Sequence, residues 1–377
     1  ILVQNRATKE EKMKNLFRIP LATVCVVALA FTAACGERGT QSSTSTTSAA
    51  LAPAQKVQLD MASVFPTSLT LIGEAAPKFA EKVKRASGGT IEIKVYEPGA
   101  LVPGLETIQA VSKGSVPSAW SSPGFFSGTD SAFSFFTTVP FGPGSPEFLA
   151  WMYYGGGLEL QNEMFGQHSI HAIPCGITPP EASGWFRTEI KSVNDLKGLK
   201  RRFFGLGAKV MDKLGVATQL LAPGDIFQAL QLGTIDATEF ANPSLDQKLG
   251  FYQVAKYYYF PGWHQQASIL DFFINQKKWD ELSDQHKAII ELACSDMLRQ
   301  IMAEGEATQW TAMKEMRDKH GVKIMRWSPE IMKAYEKAWK EVIVEQSAAN
   351  PNFKKVYDSY SKFRENYAIW REHGYLN

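Results

Sequence analysis

The chain has 377 residues, 45% of them apolar and 21% charged, the make-up of an ordinary globular protein with length enough for two cores. The 40 basic residues exceed the 38 acidic ones by a formal charge of +2 and are interspersed with them, which excludes a phosphate-tracking nucleic-acid surface.

Residues 1–12 are polar and charged, lack an initiating Met, and read as upstream sequence in frame, with Met13 as the expected start. From there Lys14 and Arg18 make a basic n-region and 19–31 an apolar stretch, shorter than the roughly 20 residues that span a bilayer. Ala33, Ala34 and Cys35 complete a small-residue processing site, so 13–35 reads as an export signal and the expected location is the periplasm. The alanines before Cys35 resemble a lipoprotein processing box, with Thr32 where Leu is usual; lipidation of Cys35 is expected, with plain cleavage near Ala34 as the alternative. Residues 36–55 are rich in Ser, Thr and Ala, with too little apolar mass to fold, and read as a flexible tether. Cys25 would leave with the signal, so the body keeps Cys175 and Cys294. An oxidising compartment permits a disulfide between them, but Cys294 shares a helical face with Ile290 and Leu298, and two separate buried thiols are the favoured expectation.

The body opens with an apolar strand at 56–63, a helix over 71–87 and an alternating strand at 90–96; a helix at 105–113 and a strand at 116–120 follow. This β-α-β-α-β grammar returns later in the chain, which predicts two lobes, each with a sheet. Phe125, Phe126, Phe133, Phe135 and Phe136 crowd a Gly- and Ser-rich loop. Phe125 and Phe126 are candidates for a ligand pocket, with packing beneath the lobe as the simpler role. A helix over 147–165 is interrupted at 155–157, and an apolar crossover at 170–174 leads to Glu181. Ser192 and Asp195 fit a capping box.

Residues 198–240 hold two strand-then-helix units. The strand at 199–204 ends near Arg202, 216–222 is a second strand, Asp225 is the expected cap of the next helix, and 235–240 carries Glu239 and Phe240. Strands linked this way pair in parallel and present ligand sites beyond their carboxyl ends, where Arg202 and Glu239 lie. Trp263 and His264 follow Gly262 at a crossover and are cleft candidates, with Asn242 and Gln265 weaker ones. A strand at 268–275 returns to the first lobe, and 279–320 carries helical periodicity long enough to brace both lobes. A strand at 322–327, a helix from Ser328 and a final aromatic helix with Tyr357, Tyr360, Phe363 and Trp370 complete the chain; those rings pack internally or against a second subunit. The expected divisions are 56–175 for the first lobe, 176–262 for the second, and 263–377 for the return and C-terminal helices.

The run Gly184, Trp185, Phe186, Arg187, the run from Leu196 to Arg202 followed by Gly205 and Gly207, and the run from Ala229 to Glu239 resemble the solute-binding component of tripartite ATP-independent periplasmic (TRAP) transporters. Segments 137–142, 151–157 and 256–264 are most similar to the branch that binds 2-oxo acids, lactate and related monocarboxylates with a metal ion. The resemblance implies an α/β, two-lobed periplasmic-binding-protein-like fold, no enzymatic activity, and delivery of the ligand to a sodium-driven membrane permease. It implies that Arg202 forks onto the ligand carboxylate and that Glu239, with the Phe240 backbone, serves a cation, to which Gln265 is a further candidate ligand. Phe240 stands where that branch often has Trp. Glu181 stands where a Gln is expected, and its extra negative charge calls for a proton, a divalent cation or arginine support, which favours Ca²⁺ over Na⁺. No organic cofactor is expected. The alternatives are a metal-free site for a C4-dicarboxylate or aromatic acid, a ligand sensor on the same fold, and, least favoured, a secreted hydrolase, for which neither a serine nucleophile elbow nor an HExxH motif is present.

Overall fold

The computed structural model describes residues 56–376. The upstream stretch, the export signal with Cys35 and the tether lie outside the described residues. The opening is β1 (Val57–Ser63), α1 (Ala75–Ala86), β2 (Ile91–Tyr96), α2 (Thr107–Ser112) and β3 (Ser118–Ser121). Both β2 and β3 pair parallel with β1, as strands joined through helices do. Helix α1 buries Ala76, Phe79 and Val83, one face at helical spacing, against this sheet. Next come α3 (Ser145–Tyr154) and α4 (Gly157–Gly166), split at the predicted glycines, and the long strand β4 (Ile170–Thr178).

The second sheet is built from β5 (Gly184–Phe186), β6 (Lys200–Arg202), α5 (Leu206–Lys213), β7 (Ala217–Gln219), α6 (Ile226–Leu232), β8 (Ala237–Thr238), α7 (Pro243–Leu249) and β9 (Tyr257–Phe260). The predicted parallel pairing holds, with β6 lying between β7 and β8 and parallel to both. Strand β10 (Ser268–Asn275) returns to the first sheet and inserts antiparallel between β3 and β4. After α8 (Gln276–Asp280) and α9 (Asp284–His320), β11 (Lys323–Arg326) adds to the second sheet beside β9, and α10 (Pro329–Ala349) and α11 (Pro351–His373) close the chain. The sheet orders are β2-β1-β3-β10-β4 and β11-β9-β5-β8-β6-β7. Helix α9, capped by Ser283, packs on β4 and α1 of the first lobe and on α7 of the second, so it braces both.

Two local expectations are corrected. Asp225 occupies the N-cap position of α6 but its side chain makes no capping hydrogen bond, because a turn of 3-10 helix over Pro223–Asp225 already leads into the helix. Cys175 and Cys294 are joined as a disulfide rather than standing as separate thiols. The face carrying Ile290, Cys294 and Leu298 is buried as its spacing implied, but it lies directly over β4, where a Cβ on Gly176 would stand 2.6 Å from Ile301, and this close approach sets the two cysteine Cα atoms 4.1 Å apart. The Ser192–Asp195 capping box forms as expected.

Candidate functional site

Strands β6 and β8 are parallel neighbours with Arg202 opposite Thr238, so the residue after β8, Glu239, meets the arginine at the shared carboxyl ends. Strand β5 can lie against β8 only through Gly184, whose φ of +120° and missing Cβ (it would stand 2.1 Å from the Thr238 carbonyl oxygen) admit no other residue. Arg202 Nη1 donates to Glu239 Oε1 at 2.7 Å and to the Glu239 carbonyl oxygen at 2.8 Å. The Phe204 amide donates to the same Oε1 at 2.6 Å. Glu239 Oε1 is thus doubly held while Oε2, equally buried, has no partner among the described residues. The hydrogen bonds of Arg202 among the described residues engage Nε, to the Leu221 carbonyl oxygen, and Nη1.

Glu181 sits in the link from β4 to β5, laced to the loop after β9. Its amide donates to the Gln265 carbonyl oxygen at 3.1 Å, and the Gly262 amide donates to its own carbonyl oxygen at 3.0 Å. Asn242 Nδ2 donates to the carbonyl oxygens of Pro179 and Pro180 at 3.0 and 3.2 Å, steadying the same link. The Glu181 side chain is buried, with Oε2 unpartnered. His264 Nε2 approaches Glu239 Oε2 to 3.8 Å, too long for a hydrogen bond. Glu181, Glu239 and His264 each offer a donor atom within 4.8 Å of the others. The Gln265 side-chain oxygen is also buried and unpartnered.

Burial, joined by the nearby Glu239 and Asp246 charges, pushes the Glu181 carboxyl well above the usual range. Burial acts the same way on Glu239, but Arg202 and His264 outweigh it and hold that carboxyl at about 2. Burial also lowers the His264 ring below the ordinary imidazole value against the opposing pull of Glu239. The pocket therefore carries an ion pair, Arg202 with Glu239, beside an acid that lacks a counter-charge. Buried unpaired oxygens and a buried imidazole with both nitrogens unsatisfied are costly unless something occupies the space between them. These residues fit a bound cation.

A cavity of about 30 Å³ adjoins the cluster. Phe65, Ile72, Ser122 and Phe125 wall it from the first lobe, and Arg202, Phe204, Phe240 and Ala241 from the second. Glu181, Gln265 and Leu270 close it at the crossovers. The lobes meet where the Phe125 and Phe204 rings lie 4.7 Å apart and where Phe204 occupies the space a Cβ on Gly124 would need. Of the predicted residues, Arg202, Glu181, Phe125, Phe240 and Gln265 line this cavity, and Glu239 and His264 stand in the adjoining donor cluster. Phe126 turns instead into the core against Phe133 and Phe165. Trp263 lies behind the site, stacked on Tyr335 at 4.6 Å. Sequence reasoning missed Phe65, Ile72, Phe204 and Leu270; the strand-end rule applied to β1 and β6 would have pointed to Phe65 and Phe204.

The family model for bacterial extracellular solute-binding protein, family 7 (DctP), matches residues 61–350. A monocarboxylate 2-oxoacid-binding periplasmic protein of Nostoc sp. is 34% identical over 363 residues, 96% of this chain and 95% of its own. Among solved structures, a TRAP transporter solute-binding protein of Bordetella bronchiseptica, with calcium and picolinate, is 36% identical with a TM-score of 0.82, covering 84% of this chain and 94% of its own. A TRAP periplasmic solute-binding protein of Pseudoalteromonas atlantica with sodium and pyruvate is 32% identical, TM-score 0.81, over 84% of this chain and 96% of its own. One of Colwellia psychrerythraea with calcium and pyruvate is 30% identical, TM-score 0.80, with the same coverage.

Proposed function

Since the chain belongs to the DctP family of bacterial extracellular solute-binding proteins, the TRAP type, we propose that it captures a small monocarboxylate 2-oxo acid such as pyruvate together with a cation. It hands that ligand to a membrane permease driven by sodium and works in the periplasm, tethered there through lipidated Cys35. It binds and transports; it does not turn its ligand over. The observation that carries the reading is the convergence, at one cavity and the donor cluster beside it, of Arg202, whose hydrogen bonds engage Nε and Nη1, and of the orphaned oxygens of Glu181, Glu239 and Gln265. A carboxylate answers the first and a metal ion the second, and a 2-oxo acid presents a carboxylate and a keto oxygen side by side to both. Among the described residues lining the cavity Arg202 is the one cation, which favours one carboxylate over two, and the phenylalanines opposite it suit an apolar tail.

The roles we assign are Arg202 on the carboxylate, Glu181 and Glu239 on the cation with Gln265 and the Phe240 backbone beside them, and Phe125 on the tail. The C-terminal helices, with Ile369 and Trp370 exposed, are the surface for a homodimer. The test is a thermal-shift screen of the chelator-treated protein against pyruvate, longer 2-oxo acids, lactate, aromatic acids and C4-dicarboxylates, each with Na⁺, Ca²⁺ or chelator. A ligand at 100 times its Kd stabilises by about 2.7 kcal/mol. We expect a monocarboxylate shift that chelator removes; a response confined to dicarboxylates would reject the reading.

A further inference from the structure

We infer that Gly305 and Gln309 of α9, acting with Asn242, are positioning residues that set the spacing of Glu181 and Glu239, so that the bracing helix decides how the site grips its ligand. The inference rests on the proposed reading that these two carboxylates share a bound cation, and goes beyond it in naming what holds them in register.

The two carboxylates come from different segments. Glu181 follows Pro179 and Pro180 in the link that leaves β4, and Glu239 lies between β8 and Asn242 at the start of α7. The link has little backbone chemistry of its own. Its prolines carry no amide hydrogen, and both of their carbonyl oxygens accept from Asn242 Nδ2, at 3.0 and 3.2 Å. Asn242 occupies the N-cap position of α7, where asparagine ordinarily caps, yet its side chain makes no capping hydrogen bond. It is committed to the link instead.

Helix α9 closes the arrangement from the other side. Gly305 is the one glycine in its 37 residues and is buried in the helix interior, where glycine is less favourable than alanine. A Cβ there would stand 2.5 Å from Pro179 Cδ and 3.0 Å from Cγ, atoms of a rigid ring, well inside ordinary carbon contact. One turn on, Gln309 grips α7. The Ser244 amide donates to Gln309 Oε1 at 2.9 Å, and Gln309 Nε2 donates to Ser244 Oγ at 3.1 Å and to the Gly305 carbonyl oxygen at 2.7 Å. A single turn of α9 thus touches the proline link through Gly305 and the first turn of α7 through Gln309, while Asn242 joins the link to α7. Glu181 leaves one corner of this triangle and Glu239 enters another, so their separation follows from how closely α9 lies on Pro179. Binding constellations tolerate displacements of only about 0.5 Å. Alanine would serve a helix that had only to pack; the proline ring against position 305 is what calls for glycine.

The experiment measures the pyruvate Kd of the exported chain by calorimetry, in buffers holding NaCl or CaCl₂, with the melting temperature of each unliganded variant as the check on folding. We expect Gly305→Ala, which displaces the proline ring, to weaken pyruvate at least tenfold in the salt that supports wild-type binding, with a melting temperature close to that of the wild type. Pro179→Ala removes the two ring atoms that the new methyl would meet. Alone it should bind within threefold of the wild type, and combined with Gly305→Ala it should bind at least fivefold more tightly than Gly305→Ala, a recovery that general loosening of α9 would not give. Asn242→Ala, which costs α7 no cap, should also weaken pyruvate at least tenfold by freeing the same link. Gly305→Ala within threefold of the wild type, or a loss that Pro179→Ala does not recover, overturns the inference while the cation reading stands. If Gly305→Ala does not fold, Asn242→Ala within threefold of the wild type overturns it. A wild type that binds pyruvate in neither salt overturns the proposed function and the inference with it.

Discussion

Arg201 and Arg202 are adjacent on β6, both buried, and the pleat sends them to opposite sides. Arg201 lies among the rings of Phe186 and Phe203, 4.7 and 4.4 Å from its guanidinium carbon, and donates to the Ser183 carbonyl; burial brings it down to about 10. Arg202 lines the cavity instead, and its planar fork is the feature a carboxylate requires. Arg202→Lys keeps the charge and loses the fork, so ligand affinity should fall more than tenfold, on the order of 2 kcal/mol; an unchanged Kd by calorimetry would remove Arg202 as the anchor. A second residue sets a pH dependence. Asp246 on α7 accepts from Trp185 Nε1 at 2.9 Å and Tyr258 Oη at 2.8 Å, yet burial raises its carboxyl from the ordinary 3.8 to about 7. Between those values the folded chain keeps a proton that the unfolded chain has released, so this group's contribution to stability falls as pH rises from about 4 to about 7. Melting curves of wild type and Asp246→Asn from pH 5 to 8 should show the wild type losing ground to the variant as pH climbs, and parallel curves would show that Asp246 does not titrate in this window.

At the scale of elements, what was legible followed local rules. Strand β10 was readable over 268–275 because an apolar run is bounded by polar residues, and the break between α3 and α4 because three glycines interrupt a helical pattern. The strands β6, β7 and β8 of the second sheet were placed but are shorter than their apolar runs, Lys200–Arg202 where 199–204 was expected, since pairing ends as the chain turns to present Arg202 and Phe204, and β5 (Gly184–Phe186) was not foreseen. Arg202 and Glu239 stood out as charged residues at the ends of apolar strands, whereas Glu181 was picked out only by the resemblance, as a Glu where a Gln is expected. Phe65, Ile72 and Leu270 were not legible, because an apolar side chain in a cavity wall and one in a core have the same sequence signature. The meeting of Gly124 with Phe204 was likewise hidden, and it gives a prediction. A Cβ at Gly124 would lie 2.4 Å from the Phe204 ring, whereas Gly128, in the same loop, has open space around it. Gly124→Ala should hold the lobes apart and weaken ligand binding at least tenfold, and Gly128→Ala should leave it unchanged; equal affinities for the two variants would mean that Phe204 yields freely.

For the molecule as a whole, α9 and the crossover strands β4 and β10 are the shared framework on which the two sheets are carried, and the Cys175–Cys294 bond fastens the first two together across 119 residues of chain. Closing so long a loop in the unfolded chain corresponds to about 5 kcal/mol in the chain-entropy description. Reduction, or Cys175→Ser with Cys294→Ser, should lower the urea midpoint accordingly while the ligand Kd stays within threefold, since neither sulfur reaches the cavity; an unchanged midpoint would show that packing of α9 on β4 suffices alone. The bond also ties the molecule's state to its surroundings. In a glutathione-buffered cytosol these sulfurs remain thiols, and the helix rests on the strand by contact alone. The chain reaches its most stable form only after it has left the compartment where it was made, so the looser, reduced form is the one available for passage through an export channel and the fastened form is the one that meets the solute.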